Sequence, residues 1–327
     1  MTVRAAVTGG AGFIGRSLVR QLRARGDAVV ALVRDARRAG ALRELGCELV
    51  EGDLASMPAD ALRAAFDGAE ALFHLAGSYR IGIPATEHVA MHQANVGATR
   101  SVLDAAIAGG VPRIVYISTA NVYGDTHGRV VDETYQRPQP PEFLSYYDET
   151  KYLAHLAAEE RIDAGAPILI ALPCMTYGPG DHSQVGATIL QAMAGRLPVL
   201  NAPELGGNLV HVDDLAAGIL LIHDKGRIGE EYVLGGEIAT LREVVRRAAA
   251  LAGRRPPLLS TPSWMLRAVG RLGGPIGRAL PGAPDLSEMV RASSGVTYWA
   301  TDAKARVELG YQPRDLAAGL PTLLASG

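Results

Sequence analysis

The sequence predicts an α/β protein: a doubly wound parallel sheet with a smaller C-terminal lobe. Three observations predict it. Six apolar runs of strand length alternate with helical stretches over residues 1–172, the pattern of a sheet covered on both faces. A glycine-rich turn joins the first run to the first helix. Beyond residue 172 the alternation gives way to short segments punctuated by proline and glycine. Residues 1–172 therefore read as a dinucleotide-binding domain, and 173–327 as mainly a substrate-binding lobe with segments returning to the sheet.

The elements follow in order. Val3 to Thr8 is a short apolar strand, and Gly9-Gly-Ala-Gly12-Phe13-Ile14-Gly15 follows it before an amphipathic helix from about Arg16 to Arg25. Glycines there let the backbone turn tightly and approach a pyrophosphate, while the helix N-terminus offers amides and dipole to the anion. The second strand, Ala28 to Val33, supplies the context that a lone glycine pattern lacks. Its end selects the dinucleotide, because an acid there bonds the ribose 2′-hydroxyl of NAD whereas an arginine accommodates the 2′-phosphate of NADP. The chain reads Leu32-Val33-Arg34-Asp35, with Arg37 and Arg38 beyond. Val33 stands where the acid is expected and Arg34 offers a planar fork suited to phosphate, so NADP(H) is expected in preference to NAD. Asp35 could pair with Arg34 or, in a register shifted by a residue or two, take the NAD role itself.

A third strand, Glu48 to Glu51, runs into Gly52-Asp53-Leu54, and a fourth, Ala71 to Leu75, into Ala76-Gly77. Both endings fall on the carboxyl edge, where an open α/β sheet binds its ligand. Asp53 and Leu54 are expected to flank the adenine, and Ala76 and Gly77 to pass near the ribose. His74 reads as a packed residue. Glu87 to Ala108 reads as one long helix with Asn95 in its middle, an amide that could bond backbone near the cofactor or position a water. His88 and His92 are i,i+4 neighbours without a third ligand in motif, so no metal is expected.

The apolar run Arg113 to Ser118 reads as a buried strand ending at Thr119, whose hydroxyl could hold a substrate oxygen. The loop from His127 to Ser145 contains Arg137-Pro-Gln-Pro-Pro141, which resists helix and sheet and is expected to wall the substrate pocket. The helix from Tyr146 to Ala164 carries Tyr147 and Lys151 one turn apart on one face. An ammonium beside the phenol would bring its pKa down from about 10 towards neutrality, and Thr119, Tyr147 and Lys151 then form a proton-transfer site. Tyr146 points about 100° away. Taken alone, Tyr-x-x-x-Lys reads more readily as a solvated lysine on an amphipathic face, and the rest of the chain has to decide it. Pro167 to Leu172 is the sixth run, and Pro173 just beyond it joins the candidate cofactor-binding residues.

The chain has 327 residues, 48% hydrophobic and 20% charged, the composition of an ordinary folded enzyme. A net charge of -2 provides no basic field for nucleic acid or an anionic membrane, so a small molecule is the expected partner. Cys47 and Cys174 lie far apart in or beside apolar runs, which predicts packing in a reducing compartment and no disulfide. With no leader of signal-peptide type and no apolar run of spanning length, the chain reads as soluble and cytoplasmic.

Taken together, Thr8-Gly-Gly-Ala-Gly-Phe-Ile-Gly15, Asp53-Leu54, Asn95, Ser118-Thr119 followed by Val122-Tyr123-Gly124, the Tyr147/Lys151 pair, Tyr177-Gly-Pro-Gly180 and His211-Val-Asp-Asp214 resemble an extended short-chain dehydrogenase/reductase over nearly the whole chain. Asn208 to Gly236 and Lys304 to Pro313 resemble the branch holding dihydroflavonol reductases, hydroxysteroid dehydrogenase-like enzymes and hopanoid-associated sugar epimerases. The resemblance implies a Rossmann-type fold. It gives Thr119 the substrate oxygen, Tyr147 the acid or base role, and Lys151 both the tyrosine pKa and the nicotinamide ribose. It also implies a homodimer through the helices Glu87 to Ala108 and Tyr146 to Ala164.

The chain departs from nucleotide-sugar enzymes of that superfamily at two positions. Met175 stands where an asparagine precedes Tyr-Gly-Pro, and Leu172 where an arginine often ends the preceding strand. A diphosphate needs charge-assisted donors, and Trp264 to Leu272 is rich in apolar bulk. Arg254, Arg255, Arg278 and Arg291 weigh on the other side. The expectation is an NADP(H)-dependent oxidoreductase acting on a carbonyl or secondary alcohol of a small, fairly apolar substrate. The alternatives are a nucleotide-sugar epimerase or dehydratase and a cofactor-sensing regulatory protein without chemistry.

Overall fold

A computed structural model describes residues 2–268 and 284–324. The first half runs β1 (Arg4–Thr8), α1 (Phe13–Ala24), β2 (Ala28–Val33), α2 (Gly40–Glu44), β3 (Glu48–Glu51), α3 (Ala59–Ala65), β4 (Ala71–His74), α4 (His88–His92), α5 (Ala98–Ala108), β5 (Ile114–Ile117), α6 (Tyr146–Asp163) and β6 (Ile168–Pro173). The second half adds β7 (Met175–Tyr177), α7 (Gln184–Met193), β8 (Val199–Asn201), β9 (Gly206–His211), α8 (Val212–Lys225), β10 (Glu231–Leu234), β11 (Glu237–Thr240), α9 (Leu241–Leu251), β12 (Leu259–Thr261) and β13 (Thr297–Tyr298), with short helices between and after the last strands.

Seven parallel strands form the main sheet in the order β10-β6-β5-β4-β1-β2-β3. The order reverses beside β1, which opens the crevice that a doubly wound sheet uses for its ligand. Alternation along each strand sends neighbouring side chains to opposite layers. Ala5, Val7, Phe73, Val115 and Leu169 pack in one core with Leu18 and Leu22 of α1 and Ile219 of α8. Ala6, Leu72, Ile114, Tyr116 and Ile170 pack in the other with Leu62 of α3, Leu103 of α5 and Ala154 of α6. Burial on both faces is why these strands read as continuous apolar runs.

The expected six alternations become seven strands, because β10 returns from the C-terminal half to pair with β6. Helix α1 begins at Phe13, three residues before the expected start, since Gly12 already serves as its N-cap and its carbonyl accepts the Arg16 amide. The expected long helix is interrupted at Gln93–Gly97 by a π-helical turn between α4 and α5. A second sheet, β11-β9-β13 with β7 also on β9, builds the smaller lobe. Both cysteines are free thiols. Among the described residues no helix is long and apolar enough to cross a membrane.

Phe73 is fully buried at the centre of the sheet. Phe73→Ala is expected to destabilise the fold by about 3–5 kcal/mol. Urea unfolding followed by circular dichroism checks this, and a midpoint equal to the parent's would contradict the placement of Phe73 in the core.

Candidate active site

The carboxyl ends of β1, β2, β4, β5 and β6 bring most of the sequence-selected residues to one edge. Gly9 sits at φ +72°, and a side-chain carbon there would lie 2.7 Å from the Ala76 amide nitrogen. Only glycine allows the first loop to pass so close to the β4 loop. No side chain caps α1, which leaves the first-turn amides beside Gly12, Phe13, Ile14 and Gly15 available to an anion. Thr8 Oγ1 lies 2.7 Å from His74 Nδ1 and accepts the Ala76 amide at 3.3 Å, fixing Ala76 and Gly77 at the mouth. Burial, with the nearby Lys151 charge, lowers the His74 pKa to about 3, so the imidazole is neutral. It is a packed residue, as expected.

At the end of β2, Arg34 is exposed, and its side chain makes neither a hydrogen bond nor an ion pair among the described residues. Asp35 does not pair with it. Its carboxylate accepts from Arg37 Nε at 3.0 Å and from the Arg37 amide at 2.9 Å, closing its own turn. Exposed Asp53 accepts the Ala55 amide at 3.1 Å, and Leu54 is buried beside it.

Thr119 and Tyr147 come together at the end of β5, the Thr119 hydroxyl near enough to favour the phenolate, and Thr119 Oγ1 accepts the Asn121 amide at 3.3 Å. Lys151 Nζ donates to the Ile117 carbonyl at 3.1 Å and the Tyr116 hydroxyl at 3.4 Å. The expected drop in the Tyr147 pKa is not found. Burial pushes the phenol up, and neighbouring phenols add to this, outweighing the opposite pull of the Thr119 hydroxyl. The physical reason is that the ammonium spends its hydrogen bonds on β5. Burial also brings Lys151 itself down to about 8.

Asn95 lies in the π-helical turn. Its Oδ1 accepts the Ser78 amide at 2.6 Å, while Nδ2 donates to the Ser78 carbonyl at 3.1 Å and to Thr150 Oγ1 at 2.9 Å. Thr150 in turn bonds the Tyr147 carbonyl at 3.0 Å. The amide thus ties the β4 loop to the helix bearing Tyr147.

The proline-containing loop is pinned to the start of α6 by Arg137, whose guanidinium makes a bidentate, buried pair with Asp148 at 2.8 and 2.7 Å. Ile83 and Met91 pack on Tyr147, and the Tyr79 ring stands edge-on to it at 4.8 Å. Tyr146 is stacked on His88, with ring centroids 3.8 Å apart. Buried Glu288 accepts the Tyr146 amide at 2.9 Å. Leu172 lies inside the core and cannot reach a ligand, while partly buried Met175 packs on apolar residues of the smaller lobe. Pro173 closes β6 opposite Leu234. Trp264 and Met265 are exposed, while residues 269–272 of the apolar stretch and Arg278 lie outside the described residues.

The sequence reading missed His155. It lies two turns beyond Tyr147 on α6, within reach of Glu159 and Glu231, and the three are a group among the described residues whose atoms could surround a cation. The i,i+4 spacing of His155 and Glu159 reads as an ordinary helix-face pair, and Glu231 comes from a strand remote in sequence.

The model of the family described as NAD dependent epimerase/dehydratase matches residues 5–235. A Synechocystis sp. protein bearing a dihydroflavonol 4-reductase name is 32% identical over 317 residues, covering 93% of this chain and 88% of its own. The 4-hydroxy-2-methyl-3-oxo-4-farnesyl-3,4-dihydroquinoline-1-oxide ketoreductase of Stigmatella aurantiaca is 30% identical over 317 residues, covering 95% and 92%. Among solved structures, the crystal structure of gox2253 superposes with a TM-score of 0.85 at 32% identity, covering 99% of this chain and 98% of that one.

The buried amine makes a pH-dependent contribution to stability. Its folded pKa of about 8 lies below the ordinary 10.5, so charging it opposes folding below pH 8, and the penalty fades as pH rises to 10.5. Relative to Lys151→Met, the cofactor-free parent is expected to gain about 3 kcal/mol between those limits. Paired urea titrations at pH 7 and pH 10.5 read this difference, and a gap independent of pH refutes it.

Proposed function

The chain belongs to the NAD dependent epimerase/dehydratase family, the extended short-chain dehydrogenases/reductases, and from that premise we propose an NADP(H)-dependent reductase of carbonyl groups on small, fairly apolar substrates. The observation that carries this reading is the Thr119–Tyr147 hydroxyl pair, with Lys151 one turn along the same helix. When bound, the nicotinamide supplies or accepts the hydride. The protein holds the proton. Burial keeps the Tyr147 phenol protonated, which suits it to donate to the carbonyl oxygen in reduction, and Thr119 holds the same oxygen in line. A lysine ammonium near the resulting phenolate stabilises it at the moment the charge appears.

The residues fit the dinucleotide. Gly9, Gly12, Phe13, Ile14 and Gly15 would receive the pyrophosphate, Asp53 and Leu54 the adenine, Ala76, Gly77 and Asn95 the neighbourhood of the ribose, and Pro173 the nicotinamide side. Unpaired Arg34 supports a 2′-phosphate, and Asp35, committed to Arg37, is less able to hold a 2′-hydroxyl. The aromatic and aliphatic surround of Tyr147 supports an apolar ketone, as does the ketoreductase name of a relative.

The family's description favours a second reading, a nucleotide-sugar epimerase or dehydratase. Leu172 and Met175 offer a diphosphate no charged donor. Fluorescence titration of the parent and Arg34→Ala with NADPH and NADH separates the two. At least roughly tenfold tighter NADPH binding, about 1.4 kcal/mol, that vanishes in the variant is expected. Turnover of acetophenone or ethyl 2-methyl-3-oxobutanoate, lowered by a factor of about 10²–10⁴ in Tyr147→Phe with NADPH affinity intact, completes the case. Retained, non-exchanging NAD with turnover of UDP-glucose would transfer the assignment to the second reading.

A further inference from the structure

Where α6 comes up to β10, two carboxylates converge on one imidazole nitrogen. His155 Nε2 faces Glu231 Oε1 of β10 at 3.1 Å and Glu159 Oε1, one turn further along α6, at 3.6 Å. The three donor atoms all lie within 4.8 Å of one another. The other ring nitrogen, Nδ1, is taken by Ser118 Oγ at 3.1 Å, so the ring is held from behind and Nε2 is left to the acids. One N–H points along one direction, so it serves one carboxylate well and the second poorly. Among the described residues no lysine or arginine side chain pairs with the carboxylate of Glu159 or Glu231. Lys304 is spent on Glu230 Oε2 and the Glu231 carbonyl, both at 2.7 Å, which anchors the β10 backbone and leaves the Glu231 carboxylate to the imidazole.

We propose that His155, Glu159 and Glu231 form a zinc site that ties α6 to β10. Nitrogen and oxygen donors at about 2.0–2.2 Å from zinc in a tetrahedron stand about 3.4 Å apart. The observed 3.1 and 3.6 Å bracket that spacing. An i,i+4 pair supplies two ligands from one helix face, and the third comes from a separate element, which fixes the angle between them. One imidazole with two carboxylates suits a borderline cation such as Zn²⁺, whereas Mg²⁺ and Ca²⁺ take oxygen alone. The two carboxylate charges balance the dication. With zinc bound, Nδ1 carries the ring proton and Ser118 Oγ accepts it, the outer hydrogen bond that orients a ligating imidazole and fixes its tautomer.

The ligands grade from core to surface. The His155 side chain is 7% exposed, that of Glu231 18% and that of Glu159 44%, so a cation enters past Glu159 and keeps its fourth position towards water. Without a cation the same acids hold a proton on the ring: burial lowers the His155 pKa, but the hydrogen bonds to Glu159 and Glu231 outweigh it and bring the group to about 9. Zinc takes the place of that proton, because a ligating imidazole is neutral. The clamp joins the helix that carries Tyr147 and Lys151 to the strand that the C-terminal half adds to the main sheet beside β6.

The test titrates zinc chloride into the full-length protein, stripped with EDTA and dialysed, by isothermal calorimetry. The parent is compared with His155→Ala, Glu159→Gln, Glu231→Gln and Ser118→Ala. Expected is one zinc per chain in the parent and loss of that saturable site in His155→Ala and Glu231→Gln. Glu159→Gln weakens it, and Ser118→Ala, which keeps all three ligands, lowers the affinity by about 10–100-fold. Cobalt in place of zinc gives the visible absorption of a tetrahedral site in the parent and that of the aqueous ion in Glu231→Gln. No stoichiometric zinc in the parent leaves an imidazolium between two acids and overturns the proposal. Zinc binding undiminished in Glu231→Gln overturns it as well, since the cation then sits elsewhere. Should His155→Ala not fold, the two isosteric glutamine variants carry the same comparison. Substrate turnover plays no part in the readout, so the outcome is independent of the reductase reading.

Discussion

A parallel sheet covered on both faces leaves polar groups almost nowhere to go but the ends of its strands, and the whole molecule is arranged around that constraint. Inside the sheet the side chains are aliphatic or aromatic. The exceptions are satisfied in pairs, as where His74 lies between Thr8 and Thr99. An unpaired polar group at such depth would cost several times what an ordinary surface contact contributes. Polar chemistry therefore collects at the carboxyl edge, where helix N-termini and loops converge and where desolvation alters the acidity of whatever is placed there.

Helix α6 is where the two halves of the chain depend on each other. It carries Tyr147, Thr150 and Lys151 towards β5 and the Asn95 turn, while its first turn is held from three sides. Ser145 caps it, Arg137 pairs with Asp148 inside it, and Glu288 from the smaller lobe receives its leading amide. Buried ion pairs add little net stability over an apolar replacement, but they admit one geometry, and here that geometry sets the direction in which a phenol points. The precision of the site is thus owed to residues that a ligand never touches.

Much of this was legible in the sequence. Strand β2 lies where an apolar run bounded by turn residues puts it, because a short buried strand leaves few alternatives. That Thr119 follows β5 while Tyr147 and Lys151 lie one turn apart on α6 could be read from a strand end and a helical spacing. What escaped were properties that arise only when distant segments meet. β10 is four residues long and becomes a strand of the main sheet only by lying against β6. The acidity of Tyr147 was misread because spacing along a helix reports where an ammonium can go, whereas burial and the competing Ile117 carbonyl decide where it does go. His155 is silent in the sequence, since Ser118 and Glu231, which join Glu159 around it, come from the segment after β5 and from β10.

The π-helical turn around Asn95 gives this architecture a length-coded element. A π turn is an α-helix carrying one residue more than its hydrogen-bonding pattern can absorb, and each residue in a helix turns its successors by about 100°. The segment before the turn packs Met91 against Tyr147, and the segment after it packs Val102 and Leu103 against the sheet. Both faces are satisfied only because the surplus residue sits between them. In evolutionary terms, substitutions along this helix can be tested one at a time, but its residue count cannot drift: a single deletion would restore a regular helix and, in the same step, turn one of its two apolar faces towards solvent.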